Sequence, residues 1–568
     1  RLTPADAYRF ARGEKITANN GMQARLQRPL DFLVVADHAE NMGVVAALDT
    51  ADISLLKTQE GRQLYDRFQS ARQQSGDPSH FPWLNLFTEG VRDIGYRQSI
   101  WDSVAANAEM YNEPGRFTAF IGYEWSAASI DGATGYSGIH RVVIFKDGAQ
   151  KATKMLPISN LDSNNPEDLW AHLASYESNT GGEVLAIPHN GNYSKGRMFL
   201  PVRSNGQPID QAYAMLRSRW EPLYEVTQIK GDTETHPVLS AADEFADFET
   251  WTGSISEGIA EASESADIAR QYEYARSALK LGLEQKRKLG VNPFKFGMIG
   301  STDSHTALST ADNNNFFGKF TLVEPSATRL GPIFPQAPNG KSGSSMNAAG
   351  YAAVWATENT REALFAAMKR KEVYASTGPR MTVRFFGGWD YEKEDAFKPD
   401  LVDIGYTKGV PMGGDLTHAP KGKSPKFLIR AVKDPDGANL DRVQVIKGWH
   451  DKNGELHEKI YNVALSDNRK ENWRGKVKPV GSTVDIKDAS YTNTIGDSEL
   501  AVVWTDPDFN QDEPAFYYVR VLEIPTPRWT AYDAKYFDLK DIPEEIPMVT
   551  QERAYTSPIW YSPASFAQ

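Results

Sequence analysis

The chain has only ten histidines in 568 residues, and three of them stand in one kind of place. His38, His189 and His305 come at or shortly after the end of a short apolar run, in company with Asp37, Glu124 and Asp303. Imidazole nitrogens with carboxylate oxygens suit Zn, Mn or Fe in a hydrolytic centre. A carboxylate such as Glu124 can bridge two cations, and a metal-bound hydroxide is then a strong nucleophile at neutral pH. The sequence has no cysteine, which removes thiolate ligands, thiol nucleophiles and disulfides together. Each residue alone has a plainer reading. A histidine after a strand is often a hydrogen-bonded structural residue, Asp37 could cap a helix, and Glu124 could be a buried ion-pair partner. Repetition argues for the sharper reading, because packing alone rarely ends five apolar runs near metal-capable residues.

Two further histidines are less regular. His140, in Gly138-Ile139-His140-Arg141, precedes a strand-like run instead of ending one, so a core or substrate-contact role competes with ligation. His236, in Glu234-Thr235-His236-Pro237, lies in a loop and reads equally as a turn histidine. Donors and cations suited to an anion stand close to these positions. Asn190, Ser194, Lys195 and Arg197 follow His189, and Lys230 ends its own run. A solvated loop is the plain alternative for Arg197. Trp125 adjoins Glu124 and could wall a leaving group, or simply belong to the core.

The elements that must position these residues are legible as runs. Leu30–Ala36, Phe117–Tyr123, Val184–Pro188, Leu223–Ile229 and Phe296–Gly300 have the length and apolarity of strands buried on both faces. Stretches of about 52–75 and 256–289 have helical composition and spacing. Thr3-Pro4-Ala5-Asp6 reads as a capped helix start, and Asn359 with Glu362 as a second capping box. Lys369 falls near that second helix's C-terminal end, where the dipole favours cations. Strands alternating with helices predict parallel βα units, closed or doubly wound, whose C-terminal strand ends form the functional face.

After about Phe386 the pattern changes to alternation without amphipathic helices. Val443-Gln444-Val445, Val519-Arg520-Val521 and the turn signals Asp434–Gly437 and Asn453-Gly454 predict an antiparallel sandwich. The expected domains are therefore 1–385, an α/β metal-binding part with helical insertions, and 386–568, a β-rich accessory part. Residues 325–350, rich in Gly, Pro, Ser, Ala and Asn, read as a long surface loop or lid. The net charge of −12 gives no general footprint for nucleic acid, and no apolar run approaches the ~20 residues of a membrane span.

Ala36-Asp37-His38, Gly122-Tyr123-Glu124-Trp125, Ile187-Pro188-His189-Asn190-Gly191 and Ser301-Thr302-Asp303-Ser304-His305 resemble the PHP (polymerase and histidinol phosphatase) superfamily. More narrowly they are similar to a bacterial branch of it catalogued as a domain of unknown function, as are Asp6–Glu14, Asp31–Glu40, Glu225–Gly231 and Gly387-Gly388-Trp389. The resemblance implies a distorted (β/α)7 barrel holding two or three divalent cations, Zn or Mn, and a phosphoesterase acting on a small anionic phosphomonoester or phosphodiester. It implies His38, Glu124, His189, His236, Asp303 and His305 as ligands, with Asp37, His140 and Lys230 serving catalysis. Asn190, Lys195, Arg197 and Trp125 would then face the substrate. It further implies a periplasmic or secreted location. The superfamily's opening His-x-His pair does not occur in the sequence, and the expectation is that it lies upstream of Arg1. The competing readings are hydrolysis of another ester or amide on the same metals, and a non-catalytic protein that binds a glycan or a partner.

Overall fold

The computed structural model describes residues 2–75, 90–131, 135–251, 264–333 and 340–563. Strands form where the apolar runs stand: β1 (Phe32–Val34), β2 (Thr118–Trp125), β3 (Arg141–Phe145), β4 (Val184–Pro188), β5 (Leu223–Gln228) and β6 (Gly297–Gly300). One sheet has the order β1-β2-β3-β4, and β5 pairs with β6 in a second. Alternation along β2 assigns its two faces. Ala119, Ile121, Tyr123 and Trp125 enter the large core. There they meet Trp101, Val104, Ala105 and Ala108 of helix α2 (Ile94–Tyr111), which follows α1 (Pro4–Ala11). Phe120 on the other face joins Ile144, Leu185, Ile187, Leu223 and Ile299, an apolar layer shared by both sheets. Glu124 has the parity of Phe120, so the strand delivers its carboxylate to the end of that layer.

The expected (β/α)7 barrel does not form. The described residues hold seven separate sheets and no closed barrel. One physical reason lies between β2 and β3, where the described chain passes through two short paired strands, Ala128–Asp131 and Gly135–Gly138. A parallel neighbour needs a crossover of a dozen residues or more, usually a helix. Without one β3 runs antiparallel to both β2 and β4. A second reason is that β7 (Tyr351–Val354) and β8 (Val373–Ser376) turn away from β6 to pair with C-terminal strands.

The sandwich forms as the alternation predicts. One sheet contains β9 (Thr382–Gly388), β10 (Lys426–Val432) and β13 (Glu499–Thr505). The other contains β7, β8, β11 (Leu440–His450), β12 (Leu456–Leu465), β14 (Ala515–Glu523) and β15 (Arg553–Thr556). Val443 and Val445 face Val521 and Val519 across the ladder, and all four point into the core between the sheets. The expected boundary at 385/386 falls inside β9, and β7 and β8 before it belong to the sandwich.

Local signals hold with small shifts. Thr3 and Asp6 make the reciprocal capping box of α1. The helix Arg361–Lys369 is capped by Thr360, whose Oγ1 accepts the Ala363 N–H at 3.2 Å. Asn359 is diverted, accepting from Thr118 Oγ1 at 2.7 Å and so tying the helix to β2. Residues 52–75 contain the helices Ile53–Leu56 and Gln59–Ser75. Of 256–289, the part 256–263 lies outside the described residues, and the rest contains helices Glu264–Arg270 and Ala275–Leu289. Of the expected lid at 325–350, residues 334–339 lie outside the described set. The flanks are packed rather than free: Arg329 is buried on Asp533, and Met346 and Ala348 are core residues. No helix of the described residues is long and apolar enough to cross a membrane.

Candidate metal centre

The antiparallel course of β3 explains the site. Because β3 starts where β2 and β4 end, His140, just before it, lies beside the residues that follow them. The backbone records this: the His189 N–H donates to the His140 carbonyl at 3.2 Å. His140 Nδ1 lies 2.8 Å and His189 Nε2 3.0 Å from the same oxygen, Glu124 Oε1. All three residues are buried, and their ligand atoms lie within 4.8 Å of one another, a candidate metal-binding group.

His38 reaches the group from the end of β1. The Glu124 N–H donates to the Asp37 carbonyl at 2.8 Å and the Ala39 N–H to the Glu124 carbonyl at 2.9 Å, which locks β1 beside β2. Asp37 thus positions Glu124 through its backbone. His38 Nδ1 contacts Ser126 Oγ and lies 3.2 Å from Glu40. Its Nε2 is 3.6 Å from Glu124 Oε2 and 3.4 Å from His305 Nε2. Two nitrogens each ~2.0–2.1 Å from a tetrahedral cation are separated by about 3.3–3.4 Å, so the spacing fits a shared ion. The donor set of nitrogen and oxygen without sulfur also fits Zn or Mn.

Electrostatics are arranged to match. Burial by itself would raise the Glu124 carboxyl. The charge on His38 and hydrogen bonds from His140 and His189 outweigh that and hold it well below its ordinary value. Burial pushes His140 down to about 4, and burial with the neighbouring Lys319 charge pushes His305 well below its usual value. Both are therefore neutral imidazoles at neutral pH, as ligands must be. Burial opposes charge on His38 too, but Glu124 and Glu40 overcome it and raise the imidazole to about 9. The Asp37 carboxyl is raised by burial.

Asp303, which follows β6, carries two cations. Lys319 Nζ lies 2.8 Å from its Oδ2, and Lys230 forms an ion pair with the same oxygen. Lys319 is a residue that the sequence reading missed. No apolar run leads into it, and only the His305 N–H to Lys319 carbonyl bond at 2.8 Å brings it to the site. Glu40, Ser126 and Glu225 were missed likewise; Glu225 is buried inside β5, with Gln228 donating to it at 2.7 Å.

Other predicted residues stand apart. His236 Nδ1 accepts the Val238 N–H at 3.2 Å, and its ring lies against Tyr274. It behaves as the turn histidine of the plainer reading. Trp125 has no exposed surface, and its indole donates to the Ser163 carbonyl at 3.1 Å on the core face of β2, away from Glu124. That removes it from substrate contact. Asn190 is buried in the left-handed conformation directly after His189, and its Oδ1 has no hydrogen-bond partner. Lys195 stands partly exposed just beyond Tyr193, and Arg197 is exposed with Nη1 on Ser137 Oγ at 3.2 Å.

A family model described as "Protein of unknown function (DUF3604)" matches residues 1–563. No curated protein and no solved structure gives a significant match. With all but the last five residues covered by one family model, the chain belongs to the DUF3604 family.

Proposed function

We propose that the protein is a metal-dependent hydrolase of small anionic esters, with a phosphomonoester or phosphodiester as substrate. The observation that carries this reading is the convergence of Glu124, His140 and His189 within 4.8 Å, bordered by His38, His305 and two lysines. In the proposal Glu124 and the four imidazoles hold two or three divalent cations, Zn or Mn, with Asp303 as a further ligand. A bound cation neutralises substrate charge and lowers the pKa of water at the site. The chain's own groups do the rest. Glu40 and Ser126 fix the ring of His38, leaving Nε2 toward Glu124. The Asp37 carbonyl holds the backbone of Glu124. Lys230 and Lys319 supply positive charge for the ester's non-bridging oxygens. The likeness of the strand endings to the PHP superfamily supports the same reading, and a periplasmic or secreted location is proposed on that likeness alone.

The test is turnover of p-nitrophenyl phosphate and bis(p-nitrophenyl) phosphate after loading with Zn or Mn. Activity should vanish with chelator, and Glu124→Gln should lower it by roughly 10²-fold or more. Full turnover in chelator, or an unaffected Glu124→Gln variant, overturns the proposal.

A further inference from the structure

Lys230 and Lys319 come from distant parts of the chain and meet on one carboxylate oxygen. Both are buried, at 5% and 3% exposure. Lys319 Nζ also donates to the Asp303 carbonyl at 2.8 Å and lies 3.1 Å from His305 Nδ1. The acids Glu124 and Glu225 act on both ammonium groups from the strands alongside. A structural ion pair needs one lysine. Two buried ammoniums on a single oxygen repel each other and each carries a desolvation cost, an arrangement that suits a ligand with more charge and more oxygens than Asp303 has. Asp303 itself reaches the lysines from a left-handed backbone, at φ 53°. Beside it, Asn190 Oδ1, Thr227 Oγ1 and Asn347 Nδ2 are buried without hydrogen-bond partners at the ends of β4 and β5.

We propose that Lys230 and Lys319 form a binding site for a tetrahedral dianionic oxyanion, phosphate or sulfate, and that the Asp303 carboxylate takes the oxyanion's place in this structure. Asp303 is thus an internal competitor for the two ammoniums. The inference rests on the hydrolase reading for its part in turnover, because there the oxyanion is the esterified group of the substrate. Binding itself needs no turnover.

The experiment is calorimetric titration of the full chain, in chelator at neutral pH, with inorganic phosphate and separately with sulfate. Asp303→Asn removes the competitor at constant size, so it should bind phosphate about tenfold or more tightly than the natural chain. Adding Lys319→Met or Lys230→Met to it should return affinity to the starting level or below. Lys319→Gln serves as a second variant, and thermal melts establish that each variant is folded. A matching gain for sulfate supports a site for tetrahedral dianions in general, and a gain for phosphate alone supports a phosphoryl site. An Asp303→Asn variant that binds neither anion more tightly overturns the inference, as does affinity that is indifferent to both lysines. The two proposals separate cleanly. Lysine-dependent binding without any turnover retains the oxyanion site and sinks the hydrolase. Turnover without lysine-dependent binding does the reverse.

Discussion

Charged groups are buried in two regions of this molecule, and the two are built differently. Where helix Ala275–Leu289 meets the outer face of the sandwich, Arg276 Nη2 lies 2.7 Å from Glu234 and 2.8 Å from Asp243. Arg520 Nη2 lies 2.7 Å from Asp243, and its Nε donates to Gln444 at 2.9 Å. Tyr518 closes on Glu234, and Lys280 and Ser240 on Glu458. None of these side chains retains a buried polar atom without a partner. At the candidate metal centre the opposite holds: His189 Nδ1, Asn190 Oδ1, Thr227 Oγ1 and Asn347 Nδ2 are all buried without one. Guanidiniums facing carboxylates in fork geometry lock two parts of a fold together. Imidazoles crowded on one carboxylate, with lysines sharing another, are an assembly waiting on something outside the chain. Burial of charge does not mark function by itself. Incomplete satisfaction is the better sign.

The comparison can be broken from the structural side first, where the largest effect is expected. Asp243→Ala leaves two buried guanidiniums short of a partner and should cost about 3–5 kcal/mol of stability, read as a large fall in melting temperature. Metal content per folded chain should stay the same. Loss of metal alone, with no fall in melting temperature, would merge the two regions into one site. The network also has a signed pH dependence. Burial would raise the Asp243 carboxyl, but Arg520 and Arg276 hold it below its ordinary value. Its contribution is therefore complete above the unfolded carboxyl's pKa and is lost as pH falls through the lower folded value. The natural chain and Asp243→Asn should differ in melting temperature throughout neutral and mildly acidic solution and converge only in strong acid. Convergence near neutral pH would remove the network from the stability account.

A smaller effect sharpens the functional side. Lys230→Ala should raise KM or lower kcat for anionic esters and leave bound metal nearly unchanged. Lys369, half-buried at a helix end, is the comparison: Lys369→Ala should cost only about 0.3–1 kcal/mol of stability and nothing in turnover. Equal effects of the two substitutions on KM and kcat would deny Lys230 a place in the site.

How much of this was legible in the sequence follows from which signals are local. Five apolar runs became strands, and Glu124, His189 and His38 were found because each ends or follows one. The Val443 and Val519 alternations became neighbouring strands of the sandwich for the same reason. Strand direction is not local. The sequence shows His140 before a strand, and only the antiparallel course of β3 turns that position into a neighbour of Glu124 and His189. The barrel expectation failed at that same point. Lys319 escaped because it arrives through a turn, held by one backbone bond to His305. His236 and Trp125 were drawn in by proximity in sequence, yet alternation sends Trp125 to the opposite face from Glu124.

The central claim is that Glu124 gathers imidazoles in order to hold metal. It is tested most directly by metal analysis of the natural chain and of Glu124→Gln, each loaded with Zn or Mn, dialysed and checked by thermal melting. The account predicts at least one bound cation per natural chain, and its loss from Glu124→Gln while the metal-free melting temperature is kept. A natural chain that retains no cation, or a variant that retains as much, would contradict it.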